Sequence, residues 1–232
     1  MKNKLQNSVK KKIDFDDYAR NYSELIEKNQ TGLFTDDVAY FSRSKIEKIS
    51  AVIGTNFRSI LDYGCGVGKN IDFLRKMSPG AEITGYDISP ESLRIAKNQF
   101  PDVLFTDRIR QLKKYDLIFL SGVIHHISAA ERDAALAPLQ KSLTDDGCIA
   151  IFEHNPYNPV TRHMVSTCEF DHDAILISSV ELSRLLANND FACIERGYML
   201  FIPAKFNRLH FLEKYLRWLP LGGQHYYFGR RA

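Results

Sequence analysis

The sequence predicts an α/β fold built on a doubly wound, mostly parallel sheet. Three observations carry that expectation. Between residues 59 and 153, short apolar segments alternate with helix-like segments. The segments at 115–121 (YDLIFLS) and 147–153 (GCIAIFE) are almost continuously hydrophobic, the pattern of strands buried on both faces. The segment at 59–63 runs directly into a turn holding Gly64, Gly66 and Gly68, and then into a helix-like run. Right-handed crossovers between such units place a ligand beyond the C-terminal ends of the strands.

The elements follow in order. Residues 1–12 are polar and lysine-rich. Phe15, Tyr18, Tyr22, Leu25 and Ile26 recur at helical spacing and predict a helix over 14–29. Val38, Phe41, Ile46, Ile49 and Ile53 predict a second over 36–53, closed by Gly54. These two form a helical cap over residues 1–55, ahead of a main domain at 56–232. Strands are expected at 59–63, 82–87, 103–106, 115–121 and 147–153, with helices at 67–77, 90–99 and 129–143. Pro90 suits a first helical turn and Ser89 a cap. Residues 154–177 interrupt the alternation as a proline-containing insert of binding-loop length. A helix at 179–189, a strand at 191–202, an amphipathic helix at 205–219 and a last strand at 225–229 complete the chain. Leu209, Leu212, Leu216 and Leu219 form the stripe of that last helix.

Composition narrows the class. The formal charge is only +3, with basic ends flanking an acidic middle. That balance argues against a nucleic-acid enzyme and leaves weak contact with a membrane surface open. Cys65, Cys148, Cys168 and Cys193 form no CxxC pair, so neither a zinc knuckle nor a redox pair is expected. Free thiols and the lack of a leader-like or membrane-spanning apolar run point to a cytoplasmic protein.

The glycine turn carries the chemistry. A dinucleotide fingerprint needs G-x-G-x-x-G, yet the third glycine here is Gly68 and residue 69 is lysine. The string is hydrophobic–Asp62–x–Gly64–Cys65–Gly66–x–Gly68, and the next strand ends at Asp87. This combination resembles the S-adenosylmethionine (SAM) loop of class I methyltransferases, over about residues 59–152. The resemblance implies a Rossmann-like, seven-stranded sheet whose final strand is antiparallel. It implies SAM as cofactor, S-adenosylhomocysteine as product, and cofactor contacts from Asp62, Gly64, Cys65, Gly66 and Gly68. Asp87 corresponds to the acid that binds the ribose hydroxyls, Ile88 to an adenine-packing residue, and Asp107 to an acid near the adenine amino group. Ser121, Gly122 and Val123 correspond to the loop lining the cofactor, and Tyr18 and Tyr22 to a helix that closes over it. The segment FEHNPYNPVT at 152–161 is similar to one found in small bacterial methyltransferases.

Candidate catalytic groups are His125, His126, Glu153 and His154, all expected at the C-terminal strand edge. Histidine and carboxylate can each take a proton near neutral pH. Packing and backbone hydrogen bonding are the competing roles for them. Neither the paired histidines nor Asp171-His172-Asp173 is expected to form a metal centre, because further ligands are not evident in the spacing. The expected activity is transfer of a methyl group from SAM to an O, N or C nucleophile of a small-molecule or carrier-linked acceptor. Two other readings are a SAM-binding sensor without transfer and an NAD-dependent dehydrogenase, the latter opposed by the glycine spacing.

Overall fold

The computed structural model describes residues 15–19 and 39–232. The predicted helix at 14–29 is therefore represented by α1 (Phe15–Ala19), and Tyr22 lies outside the described residues. Helix α2 spans Tyr40–Val52. Then follow β1 (Ser59–Tyr63), α3 (Ile71–Met77), β2 (Glu82–Tyr86), α4 (Pro90–Gln99), β3 (Leu104–Thr106) and β4 (Tyr115–Ser121). Next come α5 (Arg132–Lys141), β5 (Leu143–His154), α6 (Pro159–Thr167), α7 (Ser179–Asn188), β6 (Phe191–Met199), α8 (Glu213–Leu216) and β7 (Gln224–Arg231).

The seven strands form one sheet in the order β3-β2-β1-β4-β5-β7-β6. Strand β7 is antiparallel to both β5 and β6, and the other pairs are parallel. The period of two in each strand divides the core. Ile60, Leu117, Phe119, Ala150 and Phe152 face one way, against Ile49 of α2 and Ile71 and Leu74 of α3. Leu61, Ile118, Leu120, Ile149 and Ile151 face the other, against Leu136 and Leu139 of α5 and Leu182 and Leu186 of α7. The chain winds outward from β1 in one direction and from β4 in the other. The crevice at their C-terminal ends is the topological switch point of such sheets.

Local chemistry sets the boundaries. Pro90 begins α4, and the Ser89 side chain accepts a hydrogen bond from Ser92 N. Ser178 and Glu181 form a reciprocal capping box at α7. Helix α3 starts at Ile71, four residues later than predicted, because Gly68 holds φ at +86°, outside helical geometry. Strand β5 begins at Leu143, four residues before the expected strand at 147–153, so Asp146-Gly147 sits inside it. A register shift between Tyr115 and Leu117 absorbs the extra residues there.

The larger correction concerns residues 205–219. The structure has a 3₁₀ segment at Ala204–Leu212, kinked at Phe206, followed by the four-residue α8. Of the leucine stripe, Leu209 and Leu212 are exposed and Leu216 and Leu219 half-buried, while Phe211, Tyr215 and Trp218 beside it are exposed. The segment is held through polar groups. The Glu213 carboxylate accepts from the backbone N–H groups of Leu200, Phe201 and Ile202. The insert at 154–177 contains α6 and a short 3₁₀ turn at Glu169–Asp171. No helix among the described residues is long and apolar enough to cross a membrane.

Candidate active site

Three glycines shape the turn after β1. Gly64, Gly66 and Gly68 adopt φ of +77°, +51° and +86°, a region costly for residues with a Cβ. Gly64 N and Cys65 N both donate to Tyr86 O, at 2.7 and 3.0 Å, which ties the turn to the end of β2. Asp87 completes the tie. Its Oδ2 accepts from Gly66 N at 2.8 Å and its Oδ1 from Ser89 N at 2.9 Å. Between this turn and the loop after β4 lies a cavity of about 290 Å³.

Asp62 and Lys45 near the turn are buried, and Asp87 is half-buried. Asp62 is 1% exposed, and neither of its carboxylate oxygens makes a hydrogen bond. Burial first, and Asp87 second, push its carboxyl up to about 7, with Asn70 and Lys45 acting the other way. Burial also raises Asp87, against the backbone N–H groups of Ser89, Gly66 and Ile88. Lys45 of α2 is buried on the same side of the sheet, and its Nζ donates to Ser121 Oγ at 2.7 Å. Burial lowers its ammonium to about 8, although Glu153 and Asp62 favour the charged form.

A second polar cluster stands behind the β4 loop. Glu153, at the end of β5, accepts from Val123 N at 3.0 Å and Ile124 N at 2.7 Å through Oε1. Its Oε2 lies 2.6 Å from His125 Nδ1. Burial alone would raise the Glu153 carboxyl; the facing His125 outweighs it and holds the group at about 2. Burial would likewise lower His125, but Glu153 and Asp171 raise it to about 10. His154 is depressed to about 4 by burial and by His125. Asp171 Oδ1 is 3.6 Å from His125 Nε2 and 3.3 Å from His126 Nε2. The insert is fastened over this cluster by Ile175 N donating to His125 O and by Arg132 Nη2 donating to Ile175 O.

The expected residues divide by position. Gly64, Gly66, Asp87, Ile88, Ser121, Gly122, Val123 and His126 line the cavity. His125 and Glu153 are buried outside its lining, and His154 lines a smaller pocket with Phe41, Thr161 and Met164. Cys65 is buried against Gly85, and Gly68 against Phe100. Asp107 is exposed, 4.0 Å from the Arg108 guanidinium, and outside the cavity lining. Tyr18 belongs to the α1 turn. Sequence reasoning missed Phe15, Tyr63, Tyr86, Ser92 and Glu131 as lining residues, and also missed Lys45 and Asp171. Lys45 left a signal: it adjoins Ile46 in a helix whose Ile46 and Ile49 are core.

The segment at 152–161 binds the chain to itself. Asn155 Nδ2 donates to Pro220 O and Gly222 O, Asn158 Nδ2 to Leu221 O, and Thr161 Oγ1 to Gly223 O. Asn158 Oδ1 also caps α6 by accepting from Thr161 N.

Comparison with known proteins agrees with this geometry. A family model described as a methyltransferase domain matches residues 61–149. A demethylmenaquinone methyltransferase from Chlorobaculum parvum is 30% identical over 121 residues, covering 49% of this chain and 48% of the relative. The chain spans between 24% and 48% of the length of the curated relatives it matches first. Among solved structures, a SAM-dependent methyltransferase from Archaeoglobus fulgidus superposes with a TM-score of 0.67 at 16% identity, over 90% of this chain and 99% of that one. The magnesium protoporphyrin IX methyltransferase of Synechocystis with bound SAM gives 0.59 at 15% identity, over 95% and 98%. Residues 61–149 thus match a methyltransferase-domain family model, within a chain whose fold is similar to that of solved SAM-dependent methyltransferases.

Proposed function

We propose that the protein transfers a methyl group from SAM to a nucleophile of a small-molecule or carrier-linked acceptor. The observation that carries this reading is Asp62. A fully buried carboxylate without hydrogen bonds, two residues before the glycine turn, is an acceptor waiting for a donor. The ammonium of an amino-acid ligand fits that need. Gly66 presents a wall of the cavity without a side chain, which suits close approach of a ligand.

In this reading Asp62 and the glycine turn hold the methionine end. Asp87 accepts hydrogen bonds from the ribose hydroxyls, as a carboxylate can do for two donors. Ile88, 62% exposed at the cavity wall, packs on the adenine, and Ser121–Val123 form the opposite side. Bound SAM supplies an electrophilic methyl on a sulfonium, with S-adenosylhomocysteine as the product. The chain's own contribution is chiefly orientation and exclusion of water. Glu153 fixes the β4 loop by its two backbone contacts, and His126 brings a polar side chain to the cavity wall. The relative's name supports a small-molecule acceptor, since demethylmenaquinone is a small molecule.

Calorimetry with SAM tests the cofactor, and chromatographic detection of S-adenosylhomocysteine formed with a cell extract tests transfer. The expected result is one SAM per chain and extract-dependent turnover, both reduced in Asp87→Ala. Absence of SAM binding, or an Asp87→Ala variant that binds SAM as the wild type does, refutes the reading.

A further inference from the structure

His125, His126 and Asp171 come from two segments more than forty residues apart, yet their ligand atoms all lie within 4.8 Å of one another. The 3₁₀ turn at Ile124–His126 presents both histidines, and the 3₁₀ turn at Glu169–Asp171 brings the carboxylate to them. All three are largely removed from solvent, with side-chain exposures of 2%, 14% and 8%. We propose that these three side chains form a binding site for a divalent first-row transition ion, with Zn²⁺ the first candidate.

The distances favour an ion over a simple hydrogen bond. Asp171 Oδ1 is 3.3 Å from His126 Nε2 and 3.6 Å from His125 Nε2. A strong charge-assisted N–H···O contact is about 2.7–2.9 Å. Two ligands held at about 2.1 Å from one tetrahedral ion are about 3.4 Å apart. The two distances from Asp171 match edges of such a polyhedron, and the histidine nitrogens lie within 4.8 Å of each other.

The outer contacts point the same way. Histidine ligands normally give their other ring nitrogen to a carboxylate, which fixes the ring and its tautomer. His125 Nδ1 lies 2.6 Å from Glu153 Oε2, which leaves Nε2 directed at Asp171. His126 Nδ1 lies 3.7 Å from Asp173 Oδ1, and its Nε2 also meets Asp171. His125 thus has a carboxylate within hydrogen-bond distance of the nitrogen that faces away from Asp171, whereas at His126 the Asp173 carboxylate stands nearby but beyond that distance. Two imidazoles and one carboxylate suit Zn²⁺, Fe²⁺, Ni²⁺ or Mn²⁺ and leave further coordination positions for water or an acceptor oxygen. Because His126 also lines the main cavity, the ion would stand beside an acceptor. That last consequence rests on the methyltransferase reading; the binding of the ion does not.

The test uses the full chain without an affinity tag, after dialysis against a chelator. Zn²⁺ and Co²⁺ are each titrated alone by calorimetry, and X-ray absorption is recorded on the Zn²⁺-loaded wild type. The expected result is one ion per chain, in a nitrogen and oxygen shell with imidazole scattering and no sulfur. Asp171→Asn should weaken binding at least tenfold. No saturable binding, a shell containing sulfur, or unchanged affinity in Asp171→Asn overturns the proposal. The absorption measurement needs no variant, so it decides even where a variant fails to fold. SAM affinity of the chelated wild type is measured alongside. Loss of SAM binding with ion binding intact would remove the methyltransferase reading and leave the ion site standing.

Discussion

Val123 stands where residue 64 has no room for a side chain: a Cβ added to Gly64 would collide with Val123 Cγ2. The approach of the β4 loop to the glycine turn therefore depends on that missing atom. Gly64→Ala should destabilise the fold by about 1–3 kcal/mol, from the positive φ and the displaced valine together. SAM affinity should fall at least tenfold. Thermal melting and calorimetry measure the two losses. Adding Val123→Ala should recover part of the stability, because it removes the contact and leaves the dihedral strain.

Asp87 joins two backbone amides, Gly66 N of the glycine turn and Ser89 N before α4. Asp87→Asn keeps one acceptor oxygen and loses the charge. Its expected cost to stability is about 1 kcal/mol, against about 2 kcal/mol for Asp87→Ala. Both should reduce SAM affinity, the alanine more, as calorimetry on the two variants would record. Equal affinities in the wild type and Asp87→Ala would contradict the assigned role.

Asp62 makes stability depend on pH in a defined direction. Its folded carboxyl is raised to about 7, from an ordinary value of 3.8. Below about pH 4 the group is protonated in both the folded and unfolded states. As pH rises through the window from about 4 to 7, the unfolded chain loses the proton first and the fold is progressively weakened. Without ligand, Asp62→Asn should melt close to the wild type at pH 4 and above it at pH 8. Parallel melting temperatures for the two proteins across that range would contradict this. A cationic ligand reverses the preference by stabilising the carboxylate. SAM binding should therefore release a proton near pH 6, measurable by calorimetry in buffers of different ionisation enthalpy.

Asn155 is fully buried, and its amide donates to two carbonyls, Pro220 O and Gly222 O. Asn155→Ala leaves those buried acceptors short of donors and should cost about 2–4 kcal/mol. Asn158→Ala, which loses Leu221 O and the cap of α6, should cost about 1–3 kcal/mol. Urea denaturation gives both values. A loss below 0.5 kcal/mol in each would contradict the structural role, taking that figure as about the effect of an ordinary surface substitution.

What could be read from the chain was local. The glycine spacing, Asp87 at the end of β2 and the apolar run of β4 are short-range patterns, and each occupies the expected place. The start of α3 was misplaced because periodicity cannot register that Gly68 has a positive φ. The segment at 205–219 was misread for a related reason. A leucine stripe shows that one face is apolar, not that anything covers it, and here Glu213 secures the segment by polar contacts. The meeting of His125 with Asp171 had no sequence signal at all. It depends on how the insert folds back over β4, held by Arg132 and Ile175. The two histidines could not be told apart in the sequence, whereas the fold puts His126 on the cavity wall and His125 behind it.

The clasp of Asn155, Asn158 and Thr161 on residues 220–223 has a thermodynamic consequence. The departure of the chain from β5 and its entry into β7 are locked to each other by four side-chain hydrogen bonds. The platform beneath His154 and α6 is thus ordered during folding, and a binding molecule does not have to freeze it. A ligand arriving there keeps more of its contact energy as affinity, because the entropy of arranging that ground has already been lost.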